Sequence, residues 1–97
     1  MENFSINQFD ELFNAILKLE TVEDCRKFFE DVCTIKELQD IKQRLEVASL
    51  LTEGKNYQEV CKETGASTAT ISRVNKCIMY GKGGYKLVLD KKTDKED

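Results

Sequence analysis

The sequence predicts an all-α fold: a set of short amphipathic helices ending in a helix-turn-helix and a short C-terminal extension. Three observations predict it. The 97 residues contain no proline, and glycine is confined to Gly54, Gly65 and the run Gly81 to Gly84, so few positions break a helix. Apolar residues recur at steps of three and four. Hydroxyl or amide side chains with an acid three residues on mark helix starts, and glycines mark the stops.

In the first segment Ile6, Phe9, Leu12, Phe13, Ile16 and Leu17 carry the helical period, with Ser5 placed to cap it. Thr21, with Asp24 three residues later, opens a second helix whose apolar set is Val22, Cys25, Phe28, Phe29, Val32 and Cys33. Thr34 with Glu37 repeats that signal for a third, carrying Ile35, Leu38, Ile41, Leu45, Ala48 and Leu51 and stopped by Gly54. Val47 and Leu50 widen its stripe, and a wide stripe needs several neighbours to bury it. A chain this short buries only about 60–65% of its unfolded surface. An interlocked dimer is therefore favoured over an ordinary three-helix core.

Residues 1–80 are expected to form one helical core that includes the motif at 56–78. Residues 81–97 are expected to be a Gly-rich linker and tail. Within them Tyr85-Lys86-Leu87-Val88-Leu89 alternates, which suits a short strand or a packed extension. The last eight residues are almost all charged and are expected to be disordered.

Composition excludes several functions. There is no His, and Cys25, Cys33, Cys61 and Cys77 form no CxxC pair, so neither a zinc site nor a Cys–His nucleophile is available. The four thiols are expected to pack as small hydrophobes. No phosphate loop is present, acid pairs such as Glu23/Asp24 suit solvated helix faces, and no enzyme or cofactor is expected. No apolar run reaches the ~18–20 residues that cross a bilayer. The acidic start MENFSINQFDE lacks the basic flank of a signal peptide, which predicts a soluble, cytoplasmic chain.

Net charge is −3, but it is unevenly spread. Residues 1–33 hold eight acids and three bases; residues 55–86 hold six bases (Lys55, Lys62, Arg73, Lys76, Lys82, Lys86) and two acids. The second segment is the one suited to an anion.

That segment contains NYQEVCKETGASTATISRVNKCI. Asn56 and Glu59 form a capping-box pair, Val60 and Cys61 point inward, and Gly65 supplies the left-handed turn. Ser67 caps the next helix, whose inward positions are Ile71, Val74 and Ile78. Cys61 is small enough for a close helix crossing, and Ile71 fills the space between the helices. Thr64 stands where an aliphatic residue is commoner, so looser packing is expected there. Thr68, Ala69, Ser72 and Arg73, with Thr70, Asn75 and Lys76, offer short donors, a methyl group and cations to base edges and phosphates. Ser67 and the N–H groups of the helix start suit a phosphate. The second helix is thus the expected recognition helix. A helical hairpin that contacts no DNA is the plainer alternative.

The stretches Gln43-Arg44-Leu45-Glu46-Val47, Leu50-Leu51-Thr52-Glu53-Gly54 and Gly65 to Arg73 resemble the core pattern of the Trp repressor family. Similarity to its Trp-repressor-like group called YerC/YecD covers nearly the whole chain, including GASTATISRV and the YGKGGYKLVL tail. The resemblance implies an intertwined, all-helical homodimer reading two half-sites of double-stranded DNA about one turn apart. It also places family DNA contacts on Gln58 and Cys61, neither charged, with Lys55 and Lys62 as nearby substitutes.

Members of the family bind L-tryptophan, and the resemblance places the flanking arginines on Arg44 and Arg73 and a lining threonine on Thr34. Where the family has a glycine after the second arginine this chain has Val74, whose isopropyl group occupies the indole's space. The expectation is a vestigial, closed pocket, no small-molecule effector, and Arg44 and Arg73 paired with carboxylates or phosphate. The expected function is a sequence-specific DNA-binding transcription regulator. The alternatives are a protein-interaction adaptor built on the acidic helices, and a repressor dependent on tryptophan or another small ligand.

Overall fold

The computed structural model describes residues 5–89; the expectation of a charged, disordered tail at 90–97 lies outside them. The described residues are helical, with no strand among them. They divide into two compact units, Met1–Ile35 and Lys36–Asp97.

The N-terminal unit holds a 3-10 turn, Ile6–Phe9, then α1 (Asp10–Ile16) and α2 (Val22–Val32). Ser5 caps the turn, accepting from the Asn7 N–H at 3.3 Å. The opening of the first segment is therefore a 3-10 turn leading into α1, where a single helix was expected. Thr21 caps α2: its Oγ1 accepts from the Asp24 N–H at 3.0 Å, while the Asp24 carboxylate accepts from the Glu20 N–H at 3.0 Å. Phe28 and Phe29 meet edge to face at 5.1 Å. No residue of these elements is buried; Leu17 is 78% and Val22 68% exposed.

The second unit contains α3 (Ile35–Thr52, its first residue just outside the unit), α4 (Tyr57–Thr64), α5 (Thr68–Tyr80) and α6 (Gly84–Leu89). Gly54, at φ +95°, ends α3. The Gly54 N–H donates to Leu51 O at 3.0 Å and the Lys55 N–H to Leu50 O at 3.1 Å, the paired bonds of a Schellman motif. Only the C-terminal half of the α3 stripe is covered within the chain: Val47 and Ala48 are fully buried, whereas Ile35 and Ile41 are more than half exposed.

Asn56 and Glu59 make the expected capping box at α4, with both bonds at 2.9 Å. The helix then ends on Gly65 at φ +77°, a conformation that favours glycine. Ser67 caps α5, accepting from the Thr70 N–H at 3.1 Å.

One cluster joins these pieces: Val47 and Ala48 of α3, Val60 of α4, Ala66 of the turn, and Ile71 and Val74 of α5. Burying side chains the size of Val and Ile stabilises by roughly 1.5–3 kcal/mol each. Leu50, Leu51, Cys61 and Ile78 line its edge, as do Tyr85 and Leu89 of α6. The Tyr85–Leu89 segment is thus a packed helix, and the strand alternative does not form.

The thiols depart from expectation. Cys61 is half-buried, its Sγ 3.2 Å from Ala66 O as a donor, and Cys33 is also half-buried. Cys25 and Cys77 are exposed, because the unit around Cys25 has no interior and α5 turns Cys77 to the side of its core seam.

Thr64 is the second departure. Its hydroxyl donates to Val60 O at 2.8 Å and accepts from the Ala66 N–H at 3.1 Å. The Gln43 side chain of α3 donates to Thr64 O at 3.2 Å. The position is a polar clasp across the turn, where looser packing was expected. Ala66 is 2% exposed, so removing the hydroxyl leaves its N–H without an acceptor, at a cost of about 1–3 kcal/mol. Thr64→Val is accordingly expected to lower the urea midpoint by that free energy with an unchanged slope. Wild-type stability in this variant would contradict the clasp.

Candidate nucleic-acid interface

The roll of α5 about its axis decides which side chains are presented. Residues of an α-helix advance about 100° each, so Ile71, Val74 and Ile78 form one seam, which faces the core. Ala69, Ser72, Arg73 and Lys76 fall on the opposite side and are all exposed. Thr68 stands exposed at the first helical position, beside the capping Ser67.

Thr70 is placed differently. It is half-buried on the flank of α5, and its Oγ1 accepts from the Ser67 hydroxyl at 3.2 Å. Its hydroxyl is engaged in the cap, so the outward face consists of the other residues. Sequence spacing gave no sign of this bond.

Lys62, Arg73 and Lys76 form no ion pair among the described residues; the pairs that do form, Arg26–Glu23, Lys36–Asp40 and Lys42–Glu46, lie on α2 and α3. Gln58 and Lys62 are exposed on the same side of α4. Glu59 and Glu63 lie about 100° further round the helix. The three cations are thus unpaired by any carboxylate among the described residues.

Of the expected effector residues, Thr34 belongs to the N-terminal unit and immediately precedes α3; the other three lie in the second unit. Val74 is 1% exposed, its side chain part of the core cluster. Arg73 is exposed on the outward face. Arg44 alone borders an open cleft of about 530 Å3, with Ile41, Leu45, Cys77, Tyr85 and Val88. Neither arginine pairs with a carboxylate among the described residues, which leaves phosphate as the expected partner. Among those residues no group of three metal-ligating side chains is gathered, and no helix is long and apolar enough to cross a membrane.

A smaller cleft, about 330 Å3, opens between α4 and the start of α5 and is lined by Tyr57, Gln58, Cys61, Lys62 and Thr68. Sequence reading passed over Tyr57. Its signal was its place as the first helical residue after a capping box, one helical turn before Cys61.

Comparison with known proteins agrees with this fold. The profile of the family described as Trp repressor protein matches residues 7–93. The chain is 52% identical over 89 residues to the uncharacterised protein YerC of Bacillus subtilis (strain 168), covering 92% of this chain and 86% of that one. A TrpR-like protein from Eubacterium eligens superposes with a TM-score of 0.85 at 44% identity, over 94% of each chain. A candidate Trp repressor from Staphylococcus aureus gives 0.87 at 44% identity, over 95% of this chain and 92% of that one.

Proposed function

The chain belongs to the Trp repressor family, and on that premise we propose that it is a sequence-specific, DNA-binding transcription regulator. One observation carries the reading. The core seam of α5 turns Ala69, Ser72, Arg73 and Lys76 outward together, led by Thr68 at the helix start. A methyl, short hydroxyls and unpaired cations on one exposed helix face suit base edges and phosphates of a major groove. Gln58 and Lys62 of α4 extend the same positive side toward the backbone.

The regulator works as a homodimer. The N-terminal unit has no buried residue among those described, although Ile6, Leu12, Leu17 and Val22 are apolar, and the first half of α3 exposes Ile35 and Ile41. Helices with that much uncovered apolar surface need a partner surface, and a second copy supplies a symmetric one. Two reading heads then meet two half-sites. Soluble, cytoplasmic action follows from the same role.

Tryptophan is not the switch. Val74 fills the interior between α5 and α3 where a glycine would leave room, and Arg44 and Arg73 lie apart from it. Reopening that space requires displacing a fully packed core residue.

Four measurements test the reading. Selection from random duplexes with the pure protein should enrich a pseudo-palindromic site whose affinity falls steeply with salt. Arg73→Ala should weaken binding to it roughly 5- to 150-fold, the equivalent of about 1–3 kcal/mol. No enrichment, together with an Arg73→Ala variant indistinguishable from wild type, would end the DNA reading. Sedimentation velocity should give twice the 11.2 kDa chain mass; a monomer at tens of micromolar would refute the dimer. Calorimetry with L-tryptophan should show no saturable heat, and clear saturation would refute the closed pocket.

A further inference from the structure

The cleft between α4 and the start of α5 has a composition unlike the rest of the motif surface. Of its five lining residues, Cys61 is half-buried and the other four are exposed. Cys61 therefore forms the floor, and its thiol is already satisfied by Ala66 O. The Tyr57 ring, 38% exposed, and Thr68 bound the cleft from the two helices. Gln58 and Lys62 supply polar and cationic groups at its rim.

The electrostatics of α4 narrow the occupant. Glu59 is held by the capping box, accepting from the Asn56 N–H, and Glu63 shares its side of the helix, away from the cleft. The cleft side carries Lys62 and no acid. An occupant with an apolar edge beside a negative group fits such a surface. The cleft is also continuous with Thr68, the first residue of the outward face of α5.

We propose that this cleft takes the C5-methyl edge of a thymine in the major groove, with Lys62 on a neighbouring phosphate. Thymine presents a methyl group beside its O4 acceptor there. The methyl meets the Tyr57 ring and the Cys61 floor, while the Thr68 hydroxyl faces the polar edge. Tyr57 is then a specificity-determining residue, and the reading surface spans both helices of the motif. The assignment rests on the DNA-reading function proposed above.

The test uses the full chain and the duplex obtained by selection. Each thymine in one half-site is replaced in turn by deoxyuridine, which removes only the methyl, and Kd is measured by fluorescence anisotropy. One position is expected to lose about fourfold in affinity, the worth of one buried methyl-sized group. In Tyr57→Ala the uracil-to-thymine Kd ratio at that position should fall to about one, whereas Tyr57→Phe, which keeps the ring, should retain it. Because the readout is a ratio on one protein, a general loss of affinity or stability does not imitate the effect. A 5-methylcytosine against cytosine comparison at the same position identifies the source of the methyl: discrimination there as well means that any 5-methylpyrimidine is read. If a duplex is selected but no thymine shows a ratio that depends on Tyr57, the cleft assignment is wrong while the DNA reading stands. If no duplex is selected, both fall together.

Discussion

The turn between α4 and α5 is the constraint on which the rest of the second unit depends. Gly65 reverses the chain in a left-handed conformation, and three polar ties then hold the turn: Thr64 across it to Val60 and Ala66, Cys61 to Ala66 O, and Gln43 to Thr64 O. Beneath it Ala66 and Ile71 are buried against Val47 and Val60. These contacts fix how α5 is rolled about its own axis. A roll by one residue, about 100°, would turn one edge of the polar face toward the core and swing the seam partly into solvent. The outward position of Ala69, Ser72, Arg73 and Lys76 is therefore a consequence of the turn.

The core is unevenly distributed, and this shapes what each part can do. Among the described residues six, all in the second unit, make up the buried cluster. That unit closes its interior with its own chain, helped by Tyr85 and Leu89 of α6. The helices of the N-terminal unit are capped well but enclose nothing. Capping stabilises a helix end by about 1 kcal/mol, far less than apolar burial provides across a domain. Under the proposed function a division of labour follows, with the buried cluster holding the α4–α5 pair in place while the exposed apolar surface of the N-terminal helices and of the first half of α3 is left for a partner.

Much of this was legible in the sequence, for a physical reason. Caps and stops are local: Thr21, Asn56 with Glu59, Ser67, Gly54 and Gly65 act on backbone groups within a few residues, so spacing alone identified them. The inward residues Val60, Ile71 and Val74 followed from helical period. The Gln43–Thr64 bond joins residues 21 apart, and no local pattern encodes it. Thr70 looked like a reader because its type suited one, but a cap bond to Ser67 draws its hydroxyl aside. The segment after Gly84 alternated like a strand, yet Tyr85 and Leu89 are also four apart, and core contact at that helical spacing is what forms. Cys77 shared the helical period of its neighbours, but the seam passed it by.

The account stands or falls on whether the exposed face of α5 is the surface that meets DNA. Amide chemical-shift mapping of the labelled full chain during titration with its tightest duplex measures this directly. If that face meets DNA, the largest shifts run from Ser67 to Lys76 and along the Gln58–Lys62 side of α4, with Glu63 little affected. Shifts concentrated on α1 and α2, or on α6, with the α5 face unmoved, would contradict it.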